Sequence, residues 1–488
     1  TSTMRIAGTL LADPAETDPQ QHLSLMHGWL PLTVQALTVV LLLAAIGWRT
    51  RRWRMVWLPI AVGLGVALSV AAYWYVSSEG LASDPAPNLL WIWITVLGGA
   101  LVVLVAGWRG ARWWRRGASV IAVPLALVCT ALAVNLWVGY FPTVQTAWNQ
   151  LTAGPLPDQT DQATVVAMQK ARTIPAKGTV VPVEIGSTPS GFKHRGELVY
   201  LPPAWYATNP PPPLPTVMMI GGEFNTPADW MRAGNAIKTA DDFASSHGGN
   251  APVLVFVDSG GAFNNDTECV NGTRGNAADH LTEDVPRFME ATYGVSANPA
   301  KWGIVGWSMG GTCAVDLAVM HPDEFSTFED IAGDIAPNSG NKQQTIQRLF
   351  GGNAAAYATF DPTSVMHQHD RYSGVSGWFA ISGTASVTNA PTTVNAADSG
   401  GNGMGGRDPA RHTSDQTSAA TSLCGTGATK GIACAVVAQP GKHDWPFAAR
   451  AFVAALPWLA GQLGTPGVAA EPLPASEPPA PTVEAAGR

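Results

Sequence analysis

Hydrophobic positions divide the chain into two unlike parts. Up to about residue 141 they come in long runs: the stretches 27–48, 55–76, 89–108 and 118–141 contain no Asp, Glu, Lys or Arg. Each could cross roughly 30 Å of hydrocarbon as a helix. A buried helix of a soluble protein would carry a polar stripe, whereas these runs are apolar all round. The pattern therefore predicts four transmembrane helices. Arg49, Arg51, Arg52 and Arg54 separate the first two, and Arg109, Arg112, Arg115 and Arg116 separate the last two. Acids stand at the other ends: Asp13, Glu16 and Asp18 before the first run, Glu79 and Asp84 between the second and third. Arginine-rich loops stay cytoplasmic. Segment 1–26 and everything after the fourth helix are thus expected to be extracytoplasmic. No basic n-region or small-residue cleavage site marks a removable signal peptide, so the first helix is expected to remain.

Beyond residue 141 the pattern changes period. Residues 142–178, broken by Pro155, Pro157 and Pro175, read as a linker with one short helix at 160–171. From Thr179 two strands are expected, Thr179 to Ile185 and Glu197 to Leu201. Apolar runs of strand length then recur at 216–220, 252–257, 301–306, 377–382 and 433–438, with helical patterns between them, such as 279–293 and 309–320. Short continuous apolar strands alternating with helices predict a parallel sheet covered on both faces. The fold class is α/β, a doubly wound sheet over 179–463, preceded by an all-α four-helix transmembrane domain. The Pro- and Ala-rich segment 464–488 reads as a disordered tail.

Composition sharpens this division. Of 19 tryptophans, 12 precede residue 150, in keeping with a membrane module. A net charge of -7 offers no basic surface for a phosphate backbone, so nucleic acid is not an expected partner. Five cysteines without CxxC or Cys/His spacing imply no metal, and no cofactor is expected. The four runs hold no ionisable group of the kind that marks a transporter. They read as an anchor, or as a surface for a second envelope membrane protein, with Asn135 the only side-chain amide in the last three.

Chemistry concentrates at Gly306-Trp307-Ser308-Met309-Gly310, which follows an expected strand and opens an expected helix. That is the context of a GxSxG elbow, in which small flanking residues let strand and helix approach around a strained serine. Ser308 is the expected nucleophile. Its base should lie in the loop after the last strand, which identifies His443. His367, His369 and His412 read as surface residues. The oxyanion on a tetrahedral intermediate needs two backbone donors. One should be Met309, the other Glu223 or Gly222 in the Gly221-Gly222-Glu223-Phe224 loop.

These residues resemble the esterase D family, and within it the antigen 85-type mycolyltransferases. The resemblance spans roughly 180–460 and is carried by VEIGSTPSGFKHRGELVYLPPAW, MIGGEFNTPADW, ECVNGTRGNAADHLTEDVPRFM, GWSMGGTCAVDLAVMHPDEF and GKHDWPFA. It implies an α/β-hydrolase fold and ester hydrolysis or acyl transfer between sugar hydroxyls. It also implies pairing of Cys269 with Cys313, while Cys424 and Cys434 flank a short loop and could form a second bridge. Cys129 lies in a membrane run and is expected free.

Two departures matter. Antigen 85-type enzymes carry a glutamate a few residues past a Gly-Thr pair, whereas Gly383-Thr384 is followed here by Ala385-Ser386-Val387. Asp398 in the Gly-rich insertion and Asp334 in DIAGDIAP remain as alternatives for the triad acid, with Asp408 behind them. Asp444 beside the base reads as a loop cap. Gly221 stands where the family pattern has an aspartate that touches the sugar, so trehalose is not the expected acceptor.

The sequence thus predicts a multi-pass membrane protein whose extracytoplasmic serine esterase or acyltransferase domain acts on acyl esters of envelope lipids or glycans. The competing expectation is a catalytically weak hydrolase shell that holds partners in an envelope complex.

Overall fold

The computed structural model describes residues 23–48, 50–79, 86–138, 140–141, 143–152, 156, 158–389 and 414–475. Asp398, Asp408 and His412 lie outside them, as does most of segment 1–26.

The N-terminal part is a bundle of four apolar helices: α1 (Trp29–Ala45), α2 (Leu58–Glu79, continuing a π turn at Trp53–Trp57), α3 (Asn88–Gly107) and α4 (Trp113–Val138). Three helical stretches, Trp53–Ser77, Asn88–Gly107 and Trp113–Val138, are long and apolar enough to cross a membrane. The first expected span is shorter than predicted: α1 has 17 residues and ends where Ile46 turns to extended backbone. Helices α2 and α3 cross on small residues. A Cβ on Gly98 would lie 2.8 Å from Gly65 Cα, and one on Gly65 would lie 2.2 Å from Thr95 O. That approach needs glycine on both sides, a recurrent contact of apolar helix pairs.

The second part is built on a nine-stranded sheet. Its strands are β1 (Thr179–Val183), β2 (Glu197–Leu201), β3 (Thr216–Ile220), β4 (Val253–Val257), β5 (Trp302–Trp307), β6 (Thr327–Ile331), β7 (Ser376–Ser382), β8 (Ser386–Asn389) and β9 (Ala433–Gln439). They lie in the order β1-β2-β4-β3-β5-β6-β7-β9-β8. In that order the strands from β4 through β9 run parallel, β2 and β8 run against them, and β1 pairs antiparallel with β2. Alternate side chains of one strand enter different cores. Met218 and Ile220 of β3 face one, Val217 and Met219 the other. One face is covered by α5 (Ala236–Ser246) and α9 (Trp445–Gln462). The other is covered by α6 (Val285–Tyr293), α7 (Met309–Met320) and α8 (Ser414–Thr429). Burial on both faces is why these strands read as unbroken apolar runs.

Strand β6 escapes that signature. Its TFEDI sequence holds Glu329 and Asp330, yet both are buried. Within the linker the short helix expected at 160–171 forms. Gln162–Ala171 forms a helix whose first turn is capped by Asp161, the Thr164 N–H donating to Oδ1 at 2.8 Å. The segment expected to be disordered from 464 needs correction for residues 464–475. Val468 and Leu473 pack on the core under α9, Gln462 Nε2 donates to Glu471 O at 2.7 Å, and Asn389 Nδ2 donates to Pro474 O at 3.0 Å.

Candidate active site

At the C-terminal end of β5 the chain reverses into α7 through a single residue, Ser308, at φ 58° and ψ -119°. An L-residue adopts that conformation only when its surroundings impose it. Here they do. A Cβ on Gly306 would lie 1.6 Å from Gly310 O, and one on Gly310 would lie 2.4 Å from Ile220 O, so both glycines of the motif are required by contact. The Ser308 N–H donates to Ile331 O at 2.9 Å, which ties the elbow to β6.

His443 stands in the loop between β9 and α9. Its Nε2 lies 2.9 Å from Ser308 Oγ, and the Trp307 ring packs against its imidazole with centroids 4.4 Å apart. Asp444 caps α9, its carboxylate accepting from Phe447 N at 3.0 Å. This bond fixes where the histidine leaves the loop.

The other ring nitrogen faces a residue that the sequence pattern does not reveal. Gln416, in the first turn of α8, has Nε2 2.7 Å from His443 Nδ1. Asp334 borders the same pocket, where its Oδ2 accepts from Asn338 Nδ2 at 2.6 Å. A search for triad acids passes over glutamine because it carries no charge. The only available signal was position, directly after the Gly-rich insertion.

The oxyanion loop comes within van der Waals distance of the nucleophile: a Cβ on Gly222 would lie 3.2 Å from Ser308 Cβ. Of the two expected donors in this loop, the Gly222 N–H is committed to Asn225 Oδ1 at 2.9 Å. Met309, the first residue of α7, has an N–H without an intrahelical acceptor by geometry, as all first-turn amides do. Arg195 braces the loop from behind. Its Nη2 donates to Asn225 O at 2.8 Å and to Asp258 Oδ1 at 2.6 Å, while Nε donates to Asp258 Oδ2 at 3.1 Å. Burial pushes the Asp258 carboxyl up, but hydrogen bonds and charge from Arg195 outweigh it and hold the group below the usual range.

A second polar network lies next to this brace. His194, Glu197 and His280 bring potential ligand atoms within 4.8 Å of one another. His280 Nε2 faces Glu197 Oε1 at 3.1 Å and Nδ1 faces Asp284 Oδ2 at 3.0 Å. His194 presents its two nitrogens to the carbonyls of Arg195 and Ile185, at 2.9 and 2.8 Å. Carboxylates on both nitrogens of His280 suit a ring that carries two protons rather than a neutral metal ligand. Glu197 Oε1 also accepts from Asp258 N at 2.9 Å, which joins this network to the oxyanion brace.

The pocket at Ser308 has two characters. Trp137, Val138, Phe224, Trp307, Met309 and Trp445 give it apolar surface, and Glu223, Asn225, Glu268, Asp334 and Asn338 polar groups. Glu268 takes φ 50° beside Cys269, whose disulfide to Cys313 ties this wall to α7. Cys424 and Cys434 form a second disulfide, and Cys129 is free and buried in α4.

A mixed sheet with a strained Ser308 at the strand-to-helix turn and a histidine after the last strand defines an α/β-hydrolase. Within that class the chain belongs to the family described as "Putative esterase", whose model matches residues 193–459. It is similar to an uncharacterized protein of Corynebacterium glutamicum, 29% identical over 359 residues that cover 71% of this chain and 82% of that protein. That share exceeds what residues 193–488 can supply, so the likeness continues upstream of the esterase region. A shorter likeness, 35% identity over 81 residues, covers 17% of this chain and 23% of the diacylglycerol acyltransferase/mycolyltransferase Ag85A of Mycobacterium ulcerans. Among solved structures, the S-formylglutathione hydrolase of Agrobacterium tumefaciens is 18% identical with a TM-score of 0.44, over 59% of this chain and 97% of that one.

Proposed function

We propose that the chain is a membrane-anchored, extracytoplasmic serine esterase or acyltransferase acting on acyl esters of envelope lipids or glycans. The observation that carries this reading is the Ser308 hydroxyl, held in its strained elbow 2.9 Å from His443 Nε2. Ser308 Oγ attacks the ester carbonyl while His443 takes its proton. The oxyanion is received by the N–H groups of Met309 and Glu223, and the protonated histidine then gives its proton to the departing alkoxide. Water or a second hydroxyl, deprotonated by the same histidine, releases the acyl group. The apolar surface suits an acyl chain, and the polar groups suit a hydroxyl-bearing partner.

Membrane anchorage is supported by the three helices of sufficient length and by large apolar side chains exposed on the bundle, among them Val40, Val62, Trp74, Val105 and Trp113. Gln416 against His443 favours a second reading, a weakly active shell that holds an envelope partner, because a neutral amide stabilises an imidazolium less than a carboxylate does. Incubation of the full chain with a fluorophosphonate probe decides between them. Stoichiometric labelling that is lost in Ser308→Ala is expected, and failure of the wild type to label would leave the shell.

A further inference from the structure

Among the described residues the helical bundle meets the hydrolase domain at one end. The contacts come from residues next to the start of α1 and the ends of α2 and α4. Lys442 Nζ donates to His27 Nε2 at 2.5 Å, Arg348 Nη2 donates to Ser77 O at 3.1 Å, and Tyr140 Oη donates to the Asp229 carboxylate. Lys442 immediately precedes the catalytic histidine. The arginine-rich turns at 50–54 and 109–116 lie at the opposite end of the same helices. Anchorage alone would need one helix and no contact with the pocket.

The end of α4 goes further than contact. Trp137 and Val138 line the pocket that holds Ser308 and His443. Asn135 fixes this end: its Nδ2 donates to Phe141 O at 2.8 Å, and Phe141 N donates back to its Oδ1 at 2.7 Å. This paired bond closes the turn that carries Tyr140 to its seat on Asp229, and the amide itself is buried. Asn135 thus sets the position of two pocket residues. Phe224, Trp307, Met309 and Trp445 line the same pocket.

We infer that the end of α4 is a wall of the acyl-binding pocket, so that Trp137 selects esters whose acyl chain is presented from the bilayer in which the bundle sits. This rests on the reading of the chain as a membrane-anchored serine esterase. Trp137 and Val138 bound the acyl chain on the membrane side, and Asn135 is a positioning residue. A soluble short-chain ester fills less of this wall than a long acyl chain does and should depend on it less.

The test uses the full chain in phosphatidylcholine nanodiscs with two substrates, p-nitrophenyl butyrate in solution and dipalmitoylglycerol in the disc. Trp137→Ala should lower kcat/KM for the bilayer ester by at least about tenfold more than it lowers that for the butyrate. Trp137→Phe should restore most of the loss, and Asn135→Ala should reproduce the pattern of Trp137→Ala more weakly. Parallel loss on both esters, loss on neither, or a wild type that labels with fluorophosphonate and cleaves butyrate but not dipalmitoylglycerol overturns the inference. A wild type that neither labels nor cleaves either ester removes the esterase reading beneath it.

Discussion

His443 and Gln416 are joined through Nδ1 of the ring and the side-chain amide, 2.7 Å apart. The direction of that bond decides whether the histidine can act as a base. If the amide nitrogen donates to Nδ1, the ring proton sits on Nε2 and points at Ser308, and the ring cannot accept the hydroxyl proton. Half a turn of the amide brings Oε1, otherwise buried without a hydrogen-bond partner, onto Nδ1–H and leaves Nε2 able to accept. Gln416→Ala should therefore lower kcat by roughly tenfold or more with little change in KM, and Gln416→Glu should retain or raise activity. A pH–rate profile of kcat checks it. Unchanged kcat in the alanine variant would mean that the ring is oriented by something else.

The Arg195–Asp258 pair makes a separate prediction, because it joins fold stability to the oxyanion loop. Asp258 is 1% exposed in its side chain, so Arg195→Met leaves a buried carboxylate without its cation. Such changes cost about 3–5 kcal/mol. The variant also removes the donor on Asn225 O, so kcat should fall further than KM rises. In the double variant Arg195→Met/Asp258→Asn the charge is gone and at least half of the lost stability should return in urea unfolding. The loss in kcat should persist, since the loop is still unbraced.

What the sequence reveals of this molecule follows physical visibility. Strands β3, β4, β5, β7 and β9 are buried on both faces, so they appear as apolar runs at nearly their observed bounds. Strand β6 is equally buried, but Glu329 and Asp330 interrupt its run and hide it. Ser308 and His443 were readable because the elbow constrains neighbouring residues and the histidine follows from chain order. Gln416 was not, since its role arises only from where α8 begins. Trp137 lies in a run whose pattern shows only a membrane span, for its place in the pocket depends on how the bundle docks, which local pattern does not encode.

The two disulfides should differ in weight. Cys269–Cys313 closes 44 residues and Cys424–Cys434 closes 10, so loop-closure entropy assigns them about 4 and about 3 kcal/mol respectively. The first also ties the wall bearing Glu268 to α7 just after the nucleophile. Cys269→Ser/Cys313→Ser is expected to lower both Tm and the rate of fluorophosphonate labelling. Cys424→Ser/Cys434→Ser should lower Tm by less and leave labelling intact. Equal labelling losses in the two would separate the Glu268 wall from the chemistry.

Buried acids behind the elbow set a pH dependence whose sign can be worked out. Burial raises Asp330 to about 7, partly opposed by the Gly333 N–H bond at 2.8 Å, and burial pushes Glu329 well above the ordinary carboxylate range. An unfolded Asp titrates near 3.9, so between about pH 4 and pH 7 the native state binds more protons than the unfolded chain, and stability falls as pH rises. His280 acts in the same direction at higher pH. Burial lowers it, but its bonds to Glu197 and Asp284 win and raise it, so its contribution is complete below about 6.5 and is lost as pH climbs through the native value. Asp258 has the opposite sign: its native value is depressed, so its contribution is present above about 3.9 and disappears as pH falls through that lower value. Stability should thus peak in mild acid and decline from pH 5 to pH 8. Asp330→Asn keeps an acceptor for the Gly333 N–H and removes the ionisation, so at pH 8 it should be more stable than wild type by on the order of 2–4 kcal/mol, with no gain at pH 4. Thermal melts of both proteins across that range measure the difference directly, and a gain that does not vary with pH would show that Asp330 is already ionised in the native state.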